Sequence, residues 1–82
     1  MSTSLYVSNL SSSTTEEMLA GTFQRFGTVL SVKLKRDPET GRMHRYGFIE
    51  MKTAAEAQRA ANGLNATRFD GRVVSVTRAA RS

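Results

Sequence analysis

Apolar and polar residues alternate along several segments of this chain, which is the period expected for β-strands that bury one face. The clearest segment spans residues 45–51, where Tyr46 and Phe48 point to the same side because side chains at i and i+2 share a face. The other side of this segment is apolar enough to pack on a core. We therefore expect a strand whose two rings face solvent.

Three other segments show strand-like patterns. Residues 4–8 form the first predicted strand, with Tyr6 facing outward. Residues 29–36 form the second, in which the alternation becomes clear only after Leu30, whose own direction is ambiguous. Residues 72–77 form the last strand, after a turn at 69–71. Together with residues 45–51, these segments predict a four-stranded sheet.

The first helix is predicted from a capping box, in which Thr14 is followed by Glu17 three residues later. Apolar residues then recur at helical spacing, and Gly27 is expected to end the helix. The predicted buried stripe comprises Leu19, Thr22, Phe23 and Phe26.

A second capping box, Thr53 with Glu56, predicts the start of another helix. Its expected end is at Asn62 and Gly63. The predicted stripe is narrow because most of its residues are alanines, which allow a helix to approach a sheet closely. That stripe comprises Ala57, Ala60, Ala61 and Leu64.

The elements follow the order strand, helix, strand, strand, helix, strand, which predicts an α+β fold of the ferredoxin-like, split βαβ type. Both helices should cover one face of the antiparallel sheet and leave the other open. In this topology the first and third strands are central neighbours, so we expect Tyr6, Tyr46 and Phe48 to meet in mid-sheet. At 82 residues, the chain is expected to form a single domain over 1–82, with its core at about 4–80.

The charge is positive, with 12 Lys and Arg against 7 Asp and Glu, a net charge of +5. The turn-rich segment 37–41 is expected to join the second and third strands as a hairpin. Basic residues concentrate along this hairpin, whereas several acids lie on the predicted helices. Basic groups beside exposed rings favour a nucleic-acid ligand. The basic residues are Lys33, Lys35, Arg36, Arg42 and Arg45.

Several other classes of protein are disfavoured by the composition. The chain has no Cys, so it has neither a disulfide framework nor a cysteine-based metal site. It lacks a long apolar run and a signal-peptide pattern. A secreted domain of this size usually needs disulfides, so we expect an intracellular protein, in the nucleus or the cytoplasm, that needs no cofactor and no metal.

Two short motifs, placed on the first and third predicted strands, resemble the RNA recognition motif family. They are Leu-Tyr-Val-Ser-Asn-Leu at 5–10 and His-Arg-Tyr-Gly-Phe-Ile-Glu-Met at 44–51. The resemblance covers nearly the whole chain. Three positions depart from the family pattern: His44 replaces a basic residue, Arg45 replaces Gly, and Met51 replaces an aromatic residue.

The resemblance implies binding of single-stranded RNA, and more weakly of single-stranded DNA, by a monomer with a role in post-transcriptional RNA processing or regulation. Tyr6 and Phe48 would each stack on a base, and Tyr46 would pack against a sugar or between neighbouring nucleotides. The other implied contacts come from the second strand, the hairpin loop and the ends of the first and last strands. Arg45 would contribute only if the strand entrance twists. These other residues are Asn9, Lys33, Lys35, Arg42, His44, Arg45, Thr77, Arg78 and Ala79.

Two alternatives use the same fold. A protein-binding module would dock partners on the sheet or the helical face, but such modules usually lose the rings when the sheet is used. An acylphosphatase-like enzyme would need a phosphate-binding loop with an Arg after the first strand. Residues 9–14 contain neither Arg nor Gly, and no nucleophile–base pair is apparent, so we do not expect an enzyme.

Overall fold

Five strands and two helices make up the part of the chain that the computed structural model describes, residues 3–11, 13–36 and 45–79. The ferredoxin-like class predicted from the sequence is confirmed. One turn of 3₁₀ helix, Gln24–Phe26, extends the first helix. In chain order the elements are β1 (Ser4–Leu10), α1 (Glu16–Phe23), β2 (Val29–Arg36), β3 (Arg45–Met51), α2 (Ala54–Leu64), β4 (Thr67–Phe69) and β5 (Arg72–Arg78).

The sheet is antiparallel, with the strand order β2-β3-β1-β5-β4. As predicted, the first and third strands are neighbours, and β1 lies between β3 and β5. The hairpin of β2 with β3 is also confirmed. The connecting residues, including the predicted turn at 37–41, lie outside the described residues.

The prediction of four strands was wrong by one. Asp70 and Gly71 have positive φ angles of 52° and 84°, so they form a two-residue turn of the type that joins tight hairpins. That turn allows Thr67–Phe69 to pair with the start of β5 as a short fifth strand. Three residues are too few to show an alternating pattern, and only the turn was therefore visible in the sequence.

The core lies between one face of the sheet and the two helices. The apolar strand residues that point to this face are buried in β1, β3 and β5 and partly buried in β2, in agreement with the alternation read from the sequence. Within the described residues, no helix is long and apolar enough to cross a membrane. The buried apolar side chains are Leu5, Val7, Leu10, Leu19, Phe23, Ile49, Met51, Ala57, Ala60, Ala61, Val74 and Val76.

The start of α1 differs by one residue from the prediction. Thr15, not Thr14, is the cap, and its hydroxyl accepts a hydrogen bond of 3.1 Å from the Met18 N–H. Thr14 is buried, and its hydroxyl lies 3.0 Å from a carboxylate oxygen of Asp70, to which it donates. Two adjacent threonines can each cap a helix, and the tertiary contact with Asp70 decides between them. The helix then passes into the 3₁₀ turn, which ends before Gly27 as expected.

A β-bulge explains the ambiguous direction of Leu30. The pairing of β2 with β3 passes from Val29 opposite Met51 to Ser31 opposite Glu50, so Leu30 is an extra residue in the ladder. Its side chain is 58% exposed. From Ser31 onward the alternation is regular.

The second helix begins as predicted and ends later. Thr53 caps it by accepting a 3.1 Å hydrogen bond from the Glu56 N–H. The expected end at Asn62 and Gly63 was wrong, because α2 continues to Leu64. The lack of a side chain at Gly63 serves packing: a Cβ built there would lie 2.6 Å from a ring carbon of Phe26.

This contact predicts opposite effects for two Gly→Ala substitutions in helices. Gly63→Ala is expected to lower the free energy of unfolding by about 1 kcal/mol or more, because the Phe26 ring must move. Gly21→Ala in α1, where a Cβ meets nothing within 4 Å, should raise it by up to about 1 kcal/mol. Urea unfolding of both variants measures the difference. Equal stabilisation by both would show that the Phe26 ring does not limit the Gly63 position.

Candidate nucleic-acid interface

Three aromatic rings form a cluster on the face of the sheet opposite the helices. Tyr6 of β1 pairs directly with Phe48 of β3, and their ring centroids are 5.4 Å apart. Tyr46 lies 5.8 Å from Tyr6 and 6.1 Å from Phe48. The predicted meeting of the rings in mid-sheet is confirmed. We call the sheet surface centred on these three residues the ring face.

The rings point outward because their neighbours in sequence are held in the core. Gly47 and Ile49 of β3 are buried on the helical side, as is Val7 of β1. Phe48 remains 38% exposed, and the two tyrosines are partly exposed. The tilted contacts among the rings, with interplanar angles of 43° to 87°, leave aromatic surface available to a flat ligand.

Two lysines border the rings on the β2 side. Lys33 lies directly opposite Phe48 and Lys35 directly opposite Tyr46 in the ladder of β2 with β3. Directly opposed residues share a face of the sheet, so both lysines lie on the ring face, where they are exposed. The structure therefore brings these two predicted contact residues together with the rings.

The last strand divides its predicted contact residues between the two faces. Thr77 is exposed and lies directly opposite Tyr6, on the ring face. Arg78 lies opposite Leu5, and its guanidinium donates a 2.8 Å hydrogen bond to Gln58 of α2, on the helical side. The N–H of Ala79 donates to the Ser4 carbonyl at 2.9 Å. Side-chain contact with a ligand on the ring face is therefore available to Thr77 but not to Arg78 in this arrangement.

Asn9 has a structural role that the sequence did not reveal. Its φ is +67°, a left-handed conformation that asparagine tolerates better than most residues. Its side-chain N–H donates to the Val73 carbonyl, and its side-chain oxygen accepts from Arg72, both at 2.7 Å. These bonds tie the end of β1 to β5. Base recognition by Asn9 stays a prediction. The Asn9 amide would have to bind a base while it keeps its hydrogen bonds to Val73 and Arg72.

Arg45, the first residue of β3, points away from the ring face. Arg45 donates a 2.7 Å hydrogen bond to the carbonyl of Thr14, near the start of α1. This position agrees with the alternation, which turns Arg45 away from the face of Tyr46. Arg42 and His44 lie outside the described residues, and RNA contact by all three stays a prediction.

Glu50 is a charged residue of the ring face that sequence reasoning missed. It lies two residues after Phe48, on the same side of β3, and its carboxylate accepts hydrogen bonds from the hydroxyls of Ser4 and Thr3. These bonds favour the ionised form and lower the pKa of Glu50. Alternation alone places Glu50 on the face of Phe48, but the hydroxyls that orient its carboxylate come from residues distant in the chain.

A shallow groove of about 340 Å³ lies between Glu50 and the lysines. Phe48 forms part of its wall, and the small side chains of Ser4 and Ser31 flank the carboxylate on either side. A flat ligand that stacks on Phe48 would therefore have its edge in a groove with a cation at one end and an anion at the other.

Comparison with known proteins relates this chain to RNA-binding domains. The family model described as RNA recognition motif matches residues 5–75. The putative RNA-binding protein RbpE of a Nostoc strain is 41% identical over 76 residues, which cover 93% of this chain and 77% of that protein.

Two solved structures extend this comparison to the fold. The RNA-binding protein PG1 superposes with a TM-score of 0.86 at 38% sequence identity. The match spans 99% of this chain and 98% of the PG1 chain. The Rna15 domain solved with bound RNA (GU) superposes with a TM-score of 0.83 at 26% sequence identity. The match spans 99% of this chain and 86% of the Rna15 chain.

The hydrogen bonds to Glu50 predict that the native protein and the Glu50→Gln variant differ in how their free energy of unfolding changes in acid. Because folding lowers the pKa of this carboxyl, its stabilising effect is fully present above the ordinary carboxyl pKa and is lost as the pH falls through the lowered value. The side-chain amide introduced by Glu50→Gln cannot ionise. The difference in the free energy of unfolding between the native protein and this variant should therefore stay constant near neutral pH and shrink in acid.

Urea unfolding over this pH range measures the difference, with Glu17→Gln, an exposed residue of α1, as a control for the loss of one negative charge. A difference that does not change with pH would contradict the role given to the Ser4 and Thr3 hydroxyls.

Proposed function

Because the chain belongs to the RNA recognition motif family, we propose that its ring face binds single-stranded RNA by stacking unpaired bases on Tyr6 and Phe48. The observation that carries this proposal is the cluster of three rings, 5.4 to 6.1 Å apart, exposed on the sheet face that the helices leave uncovered. Bases can reach such a surface only when they are unpaired and unstacked from one another.

Stacking supplies the main part of the binding free energy in this proposal. A base stacked on an aromatic side chain contributes roughly 1–3 kcal/mol, and a micromolar affinity needs about 8 kcal/mol. Two stacked bases, a sugar packed on Tyr46 and a few polar contacts reach that value. The domain is therefore expected to bind a few nucleotides with moderate affinity.

Electrostatic attraction adds a smaller contribution that depends on salt. Lys33 and Lys35 lie beside the rings, where their ammonium groups can approach the phosphates that link stacked nucleotides. Thr77, which lies opposite Tyr6, would donate a hydrogen bond to a nucleotide or accept one from it. The predicted phosphate contacts of Arg42 and His44 remain part of the proposal.

The wider biological assignment follows from this binding mode. We propose a single domain over 1–82 that acts as a monomer in the nucleus or cytoplasm, in post-transcriptional RNA processing or regulation. It would bind single-stranded DNA more weakly, need no cofactor and catalyse no reaction. Any protein partner would use the helical face, since the ring face is occupied by RNA.

The first test removes the rings. Phe48→Ala and Tyr6→Ala are each expected to weaken binding of a short single-stranded RNA by about tenfold, which corresponds to the loss of one stacked base. Met18→Ala is the matched control, because Met18 is 37% exposed on α1 and Phe48 is 38% exposed on the ring face. Fluorescence anisotropy gives the affinities, and circular dichroism confirms that each variant is folded.

Unchanged affinity in both ring variants would refute stacking. RNA-induced NMR shifts confined to the helices would favour a protein-binding module instead.

The second test separates the charged contacts from the stacks. Replacing either ring-face lysine with Gln should reduce the slope of log K against log salt by about 0.7, because one phosphate contact on a single strand is lost. Arg59→Gln removes an exposed positive charge on α2, which covers the opposite face of the sheet, and should leave the slope unchanged. Equal effects of all three substitutions would indicate only a general attraction by net charge.

A further inference from the structure

The ring face carries a carboxylate at a place where an RNA backbone would be repelled. Glu50 lies two residues from Phe48 on the same side of β3, beside the groove that Phe48 helps to line. A negative charge there disfavours a phosphate. The favourable neighbour for this group is a part of the nucleotide that presents N–H donors, which is the edge of a base.

The carboxylate is held in a defined orientation. Ser4 donates to one of its oxygens and Thr3 to the other. An ionised carboxylate has about four acceptor positions, two on each oxygen. After these two bonds, each oxygen keeps capacity for one more, and the neighbouring side chains of Ser4 and Ser31 are small enough to leave the groove open above it.

The four bases differ in what they can offer two parallel acceptors. Guanine presents two adjacent donors on its Watson–Crick edge, the ring N–H and the exocyclic amino group. Adenine and cytosine each present one amino group. Uracil presents a single N–H between two carbonyl oxygens, which a carboxylate repels. Paired donors that match paired oxygens give the stronger and more selective contact.

We propose that Glu50 makes the site next to Phe48 selective for guanine, by accepting hydrogen bonds from the two donors on the edge of a base stacked on that ring. The proposal rests on the proposed function, because it requires RNA on the ring face. Glu50 thus determines which base is bound, whereas the rings supply most of the affinity.

The test compares octauridylate with versions that carry a single guanosine, adenosine or cytidine near the centre. Because the strand can bind in several registers, the substituted base can reach the site next to Phe48. The native protein is expected to prefer the guanosine oligonucleotide to octauridylate by about tenfold. Glu50→Gln should reduce this preference to threefold or less, because the amide keeps only one acceptor oxygen. Glu17→Gln, an exposed carboxylate on α1, should retain it.

A change in the RNA tests the contact without altering the protein. Inosine lacks the exocyclic amino group of guanosine, so replacing the one guanosine with inosine should weaken binding to the native protein several-fold. In Glu50→Gln the same replacement should have a smaller effect, and this double-mutant cycle isolates the contact between the two groups.

Three outcomes would overturn the proposal: no base preference in the native protein, a preference retained in Glu50→Gln, or an equal loss of affinity for all oligonucleotides in that variant. Equal losses would indicate a purely structural role for Glu50. A protein whose binding depends on Phe48 but shows no base preference refutes only the selectivity of Glu50. A protein that binds none of the oligonucleotides refutes the proposed function as well.

Discussion

The pairing register of β1 with β3 is the constraint on which the rest of the molecule depends. It sets Tyr6 opposite Phe48 on one face and Leu5 opposite Ile49 on the other. Because side chains alternate with a period of two, a slip of one residue would exchange the two faces and move rings into the core and aliphatic side chains into solvent. The same burial that stabilises the domain therefore holds the ring cluster together.

The two helices make the ring face possible by covering only the opposite side of the sheet. The alanines of α2 allow close packing, and Gly63 leaves space for the ring of Phe26, in the 3₁₀ turn that follows the first helix. With the core satisfied on that side, the sheet can expose its rings. Exposure of large aromatic side chains carries a cost in water, which a stacked base would offset.

Several polar side chains at the border of the sheet form hydrogen bonds within the protein. Asn9 joins β1 to β5, Arg45 contacts Thr14, and Arg78 contacts Gln58. This allocation leaves the rings, the two ring-face lysines and Glu50 available for the proposed recognition of RNA. In the proposed binding mode affinity and selectivity come from different groups, because stacking accepts any base whereas an oriented carboxylate distinguishes among base edges.

Local patterns in the sequence determined the order of the main elements, the inward and outward faces of each long strand, and the three rings, because alternation and capping depend on neighbouring residues. Only the tertiary structure decided which threonine caps α1, how far α2 runs past Gly63, and whether Thr67–Phe69 forms a strand. Contacts between residues distant in the chain determine each of these. The same reason explains why Glu50 was missed: its orientation depends on hydroxyls more than forty positions away, which no local pattern can show.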